Sequence, residues 1–224
     1  MIRCCIFDMD GLLLDTERQM YLKIGLEVSA ELGQPIDAEY LTKMMGGSWS
    51  AYEINVAEHM GKDFPIKQYM KILNERIKYS ILHDVQPLRP GAREVLDYCK
   101  KQKILMAIAT STPKKNAYRC LENANLLDYF DFIITGDQVV HGKPDPEIFL
   151  TVVDHFGVDK KEAVVLEDGH NGSLAAKRGG LHLILVEDLA YVSEEDREYA
   201  DLHTYQLIDA IGYLEKENER TAGV

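Results

Sequence analysis

Beyond Pro87, short apolar runs and stretches of helical pattern take turns along the chain, whereas from Thr16 to about Leu82 there is hardly a strand signal. The apolar runs are 104–109, 132–135, 163–166 and 183–186, and the helical stretches that precede and separate them are 91–102, 113–123, 146–156 and 171–178. Strand alternating with helix imposes right-handed crossovers and a parallel sheet with helices on both faces. One more apolar run, 2–7, ends at Asp8 and supplies a strand ahead of the helical stretch. The expected fold is α/β: a doubly wound parallel core from residues 1–15 and 86–224, with residues 16–85 inserted after the first strand. The insertion reads as helices punctuated by Gly33-Gln34-Pro35, Gly46-Gly47, Gly61 and Pro65. The polar tail, 215–224, is expected to fray.

A net charge of −12 argues against a broad nucleic-acid surface, which needs clustered Lys and Arg. An anionic substrate must therefore meet a local positive site in an acidic molecule. No apolar run reaches the roughly 18 residues of a membrane span, and the N-terminus lacks a basic leader followed by a long apolar stretch. The expectation is a cytoplasmic protein, monomeric or weakly oligomeric, with no membrane or nucleic-acid partner. Cys4, Cys5, Cys99 and Cys120 show no C-x-x-C spacing and read as reduced core residues.

In open α/β sheets the ligand crevice lies at the carboxyl ends of the strands. The polar residues at those ends are Asp8 and Asp10, Thr110 and Ser111, Gly136 and Asp137, and Glu167 and Asp168. Any one Asp at a strand-to-turn junction is ordinary turn chemistry. Acids gathered on one rim, however, repel one another and resist ionisation unless a cation neutralises them. Oxygen ligands of this kind suit Mg²⁺, which takes one or two carboxylates together with substrate phosphate. Lys143, in His141-Gly142-Lys143-Pro144-Asp145-Pro146, adds a fixed positive charge.

Asp8-Met9-Asp10-Gly11 with Thr16, then Thr110, then Lys143 in Gly-Lys-Pro, then Glu167-Asp168, resembles in the correct order all four signature motifs of the haloacid-dehalogenase-like superfamily. The resemblance covers nearly the whole chain. It implies a Rossmann-like core carrying an inserted α-helical cap, and the subgroup resembled includes β-phosphoglucomutase and many small-molecule phosphatases. By this resemblance Asp8 is the nucleophile that forms an aspartyl-phosphate. Asp10 exchanges protons with leaving group and water, and ligates magnesium through its carbonyl. Asp168 and Asp8 supply anionic metal ligands, with Glu167 nearby holding a water on the metal. Thr110 donates to a phosphoryl oxygen, Ser111 belongs to the same phosphate-binding turn, and Lys143 neutralises developing charge.

The fourth motif departs from many relatives in reading Glu167-Asp168-Gly169-His170, with Gly where Ser is common. His170 could touch substrate, the leading reading being a solvated loop histidine, and His59, His83, His155, His182 and His203 are read as structural or surface residues. Gly46, Ser48 and Trp49 resemble the cap loop that faces substrate; the other reading is a helix-to-helix turn with Trp49 packed on the cap core. The leading expectation is a Mg²⁺-dependent phosphatase acting on a small phosphorylated metabolite, such as a sugar phosphate. A phosphosugar mutase is the alternative, and a catalytically silent binding module a third. Met20 stands where the mutases place a cap histidine, Trp49 stands where they place a phosphate-gripping arginine, and Arg18 is the residue that could substitute.

Overall fold

The computed structural model describes residues 1–44 and 49–222, with Trp49 and residues 221–222 described by their backbone alone. The chain opens with β1 (Cys4–Phe7) and then turns helical. A π-helix (Glu17–Lys23) runs straight into α1 (Ile24–Glu31), followed by α2 (Ala38–Thr42), α3 (Trp49–Met60) and α4 (Ile66–His83). The remainder alternates: α5 (Ala92–Gln102), β2 (Leu105–Thr110), α6 (Lys114–Asn123), β3 (Phe132–Thr135), α7 (Glu147–Phe156) and β4 (Ala163–Glu167). It ends with α8 (His170–Gly179), β5 (His182–Val186), α9 (Glu194–Tyr199), β6 (Leu202–Thr204) and α10 (Ala210–Ala222).

The six strands form one parallel sheet in the order β3-β2-β1-β4-β5-β6. Strand order reverses between β1 and β4, which is where such sheets open their crevice. Phe7 pairs with Ile108 on one side and Leu166 on the other. That register brings Asp8, one residue on, level with Ala109 and Glu167.

The strands read as continuous apolar runs because both faces of the sheet are covered. Cys5 and Phe7, with Met106, Ile108, Val164 and Leu166, pack into the cluster that includes Val95, Leu96 and Leu214. Cys4 and Ile6, with Ala107, Ala109, Ala163 and Val165, pack into the opposite cluster around Ile148, Phe149, Val152 and Ala176. All four cysteines are buried free thiols.

The helices between β1 and α5 bury a stripe of their own. On α4 it runs through Tyr69, Met70, Leu73, Ile77, Ser80 and Ile81, the spacing of one helical face. Two chain passes join these helices to the sheet, and they pair: Leu14 bridges Leu88 antiparallel. The Asp15 N–H donates to the Pro87 carbonyl at 2.8 Å, and the Arg89 N–H to that of Leu13 at 2.8 Å. Arg18 reaches across to both oxygens of Asp188 at 2.6 Å each, and Arg89 meets the same carboxylate at 2.9 Å. On the other side, Arg119 and Asn123 of α6 donate to the Leu82 and Ile81 carbonyls that end α4.

Two features differ from the sequence reading. A sixth strand, β6, adds to the edge beyond β5, and within the described residues the polar tail continues α10 through residue 222 instead of fraying, residues 223–224 lying outside them. Leu214 anchors that helix in the core, and Asn218 Oδ1 accepts the Ile2 N–H at 2.9 Å. Among the described residues, no helix is long and apolar enough to cross a membrane.

Candidate active site

At the carboxyl rim of the sheet, Lys143 is nearly enclosed, with a side chain 5% exposed. Its Nζ donates to Asp8 Oδ1 at 2.6 Å, Glu167 Oε1 at 2.6 Å and the Ala109 carbonyl at 2.8 Å, which uses all three ammonium protons. Phe149 lies beneath, its ring centroid 5.0 Å away. Burial alone would lower the Lys143 pKa, but Asp8 and Glu167 outweigh it and hold the ammonium charged above its ordinary range.

Asp8 comes straight off β1 and is buried, as are Glu167 at the end of β4 and Asp168 beside it. These three can each offer an oxygen within 4.8 Å of the others. Burial pushes Glu167 above the usual carboxylate range, with Lys143 opposing the shift and Asp8 adding to it. Asp168 is likewise pushed well above that range, by burial first and then by Glu17, Glu167 and Asp8, with Lys143 opposing.

Two glycines make room for these acids. A Cβ on Gly11, whose φ is +84°, would lie 2.1 Å from Asp168 Oδ2, and one on Gly172 would lie 1.8 Å from Glu167 Oε1. Glu167 Oε2 accepts the Asp168 N–H at 3.1 Å. Asp168 Oδ2, although buried, has no hydrogen-bond partner. An orphaned oxygen on a carboxylate that clusters with two further acids is costly unless a cation completes it. The all-oxygen donor set therefore fits a hard divalent ion such as Mg²⁺.

Asp10 faces a different set of groups. Its Oδ1 accepts from Thr16 Oγ1 at 2.8 Å, and its Oδ2 from Thr112 Oγ1 at 2.7 Å and from Thr110 Oγ1 at a long 3.4 Å. Burial raises its pKa, as does Asp8, while the three hydroxyls hold it down. A carboxyl kept more readily protonated than usual suits a proton donor.

The structure thus brings Asp8, Asp10, Thr110, Lys143, Glu167 and Asp168 to one rim, as expected, with Ser111 exposed beside them. Asp10 contributes its side chain to the hydroxyls and stands outside the carboxylate triad. The expected substrate-facing Gly46 and Ser48, and the side chain of Trp49, lie outside the described residues.

His170 lies on a helix and not in a loop, and its side chain stays 36% exposed. It opens α8, its Nδ1 lies 2.7 Å from Asp196 Oδ2, and its N–H donates to the Tyr191 carbonyl. Met20 packs into the apolar cluster, and Arg18 is engaged by Asp15 and Asp188.

Two residues near the site were missed from sequence. Thr112 is one, for which the hydroxyl run Thr110-Ser111-Thr112 was the available signal. Glu17 is the other: it is buried next to Thr16, and its charge bears on Asp168.

A family model described as haloacid dehalogenase-like hydrolase matches residues 5–186. A phosphorylated carbohydrates phosphatase of Thermotoga maritima is 35% identical over 80% of this chain and 82% of its own. Hexitol phosphatase B of Escherichia coli strain K12 is 30% identical over 83% of each. A solved structure from Thermotoga maritima, described as a putative beta-phosphoglucomutase, matches with a TM-score of 0.78 at 30% identity, covering 96% of this chain and 99% of that one. With motifs, fold and relatives in agreement over most of its length, the chain belongs to the haloacid dehalogenase-like hydrolase family.

Proposed function

We propose that the protein is a Mg²⁺-dependent phosphatase that hydrolyses a small phosphorylated metabolite through an aspartyl-phosphate on Asp8. The chain is an enzyme, a phosphoric monoester hydrolase. The observation that carries the reading is the clamp of Lys143 on Asp8 and Glu167 beside the orphaned oxygen of Asp168. Lys143, buried beside Asp8 in a chain of net charge −12, supplies part of the local positive charge that an anionic ester requires, and a bound divalent ion would supply the rest.

In this mechanism Asp8 attacks phosphorus, and the ester P–O bond breaks as Asp10 gives its proton to the departing alcohol oxygen. Water then attacks the same phosphorus and passes a proton to Asp10, and Asp8 leaves as a carboxylate. Lys143 and the Thr110 hydroxyl stabilise charge on the equatorial oxygens. Magnesium, for which Asp8, Glu167 and Asp168 offer oxygens, supplies positive charge that offsets substrate dianion and carboxylates alike.

Residues 16–85 act as a cap domain over a core of residues 1–15 and 86–224, and closure excludes water from the site. The paired passes at Leu14 and Leu88 support this division. Four buried free thiols support a reducing, cytoplasmic setting. The names of the two phosphatase relatives point to sugar or alditol phosphates as the substrate class.

A phosphosugar mutase is the second reading, favoured by the description of the Thermotoga maritima structure. Against it, Met20 cannot transfer a proton and Arg18 is held by Asp188, so a second phosphate lacks its grip.

One experiment tests both: phosphate release with Mg²⁺ from sugar, alditol and nucleotide monophosphates, with β-glucose 1-phosphate plus a bisphosphate primer among them. Phosphate is expected from one or more esters, and Asp8→Asn is expected to retain under about 1% of the activity, because an amide is a poor nucleophile. Glucose 6-phosphate forming faster than phosphate would replace the hydrolase with the mutase, and an active Asp8→Asn enzyme would remove Asp8 from its role.

A further inference from the structure

We infer that Thr112 is a positioning residue that fixes the plane of the Asp10 carboxyl for proton transfer to the leaving group, an assignment that rests on the phosphatase reading above. The torsion that turns a carboxyl about its own axis is broad and roughly two-fold. The side chain alone therefore does not aim the acid; its hydrogen bonds do.

Asp10 is held from two sides by different parts of the chain. Thr16, at the entry to the helical insertion, takes Oδ1 at 2.8 Å, and Thr112, in the loop between β2 and α6, takes Oδ2 at 2.7 Å. Two bonds to opposite oxygens define a plane, whereas one leaves a free rotation. Thr110 is no substitute at 3.4 Å, beyond the range of a good O–H donor, and it is the residue expected to turn to the phosphoryl group.

The loop itself does not need the Thr112 hydroxyl. A Thr just ahead of a helix ordinarily caps it, yet α6 has no side-chain cap at its start. Its first N–H, that of Lys114, is taken instead by Asp137 at 2.9 Å. The backbone of Thr112 is secured separately, its N–H donating to Thr110 Oγ1 at 3.0 Å. What remains for the hydroxyl is Asp10.

The role is specific to the step in which Asp10 delivers its proton. An alkoxide leaving group needs that proton, and a nitrophenolate leaves without it. The test compares kcat/KM, which reports the chemistry up to the first irreversible step, for sorbitol 6-phosphate and 4-nitrophenyl phosphate with Mg²⁺. The enzymes are the unmodified protein, Thr112→Val and Thr112→Ser.

Valine keeps the shape and removes the donor; the ratio of alkyl to aryl kcat/KM is expected to fall about tenfold or more, with about a thirtyfold loss on the alkyl ester, inside the range for general acid catalysis. Serine restores the donor and is expected to return the ratio to within about threefold of the unmodified enzyme. Equal slowing on both esters, or a serine variant no better than valine, would overturn the assignment to Thr112 while leaving the phosphatase reading intact. Where sorbitol 6-phosphate is not hydrolysed, the alkyl ester cleaved fastest in the substrate panel above takes its place, and failure of the unmodified enzyme to release phosphate from any ester of that panel would overturn both.

Discussion

Lys143→Met tests the electrostatics of the site most directly. Methionine is close to lysine in length and carries no charge, so packing over Phe149 is largely kept while all three donated bonds disappear. Among the described residues those bonds, at 2.6, 2.6 and 2.8 Å, are the only ones the ammonium makes, and the side chain is 5% exposed, so little water is at hand to replace it. Asp8 and Glu167 are left buried without a counter-charge. Removing one partner of a buried ion pair costs about 3–5 kcal/mol, and at about 2–4 °C per kcal/mol for a chain of this length the metal-free protein should lose roughly 6–20 °C in Tm. A divalent cation can neutralise the same two carboxylates, so Mg²⁺ should recover part of that loss in the variant. Catalysis should not recover if Lys143 stabilises the phosphoryl oxygens as proposed; kcat is then expected to fall roughly 100- to 1000-fold. Steady-state phosphate release and thermal melts in chelator and in Mg²⁺ give both quantities. A kcat within about fivefold of the unmodified enzyme would refute a transition-state role for Lys143, and an unchanged metal-free Tm would refute the buried-pair argument.

Gly172→Ala should improve helix propensity by about 1 kcal/mol in α8. The new Cβ would nevertheless lie 1.8 Å from Glu167 Oε1 and drive that carboxylate off Lys143. A displacement of that size predicts about a hundredfold loss in kcat, and a fully active, more stable variant would contradict it. Mg²⁺ should also stabilise the protein by an amount that grows with pH. The folded Glu167 binds its proton more tightly than the unfolded residue does, because its pKa rises from 4.5 to about 7. Stability of the metal-free protein is therefore present at low pH and lost as pH rises through that window. The difference in Tm between Mg²⁺ and chelator should widen from pH 4.5 to 7, and a constant difference would show that the ion does not relieve these acids.

β1, β2, β4 and β5 were legible because the interior of the sheet is covered on both faces and reads as unbroken apolar runs, and β3, half-buried at one edge, because Phe132-Ile133-Ile134 is apolar; the residues at their ends then located the rim. β6 was not legible, since Leu202-His203-Thr204 is three residues long with a single apolar one. The tail was misread because its sequence is polar, whereas its anchors are single residues, Leu214 and Asn218, that meet distant parts of the chain. His170 and Thr112 share that limit. Their partners, Asp196 and Asp10, lie 26 and 102 positions away in sequence. The π-helix carries no periodic signature either, because seven residues are too few to tell its wider turn from an α-helical one.

The four residues of β1 are gripped alternately from above and below, and Asp8 is the next residue along. The aim of Asp8, the proposed nucleophile, is therefore set by the two packed layers as much as by its immediate neighbours, because close-packed interiors pass small displacements on rather than absorbing them. Trimming Val152 beneath the sheet or Leu214 above it would remove none of the proposed phosphate- or metal-binding side chains, yet it would let the strand sag and the Asp8 carboxylate drift. In this molecule the core is the gunsight: sensitivity to substitution should follow the strand inward from Asp8, and catalysis should blur in such variants well before the fold gives way.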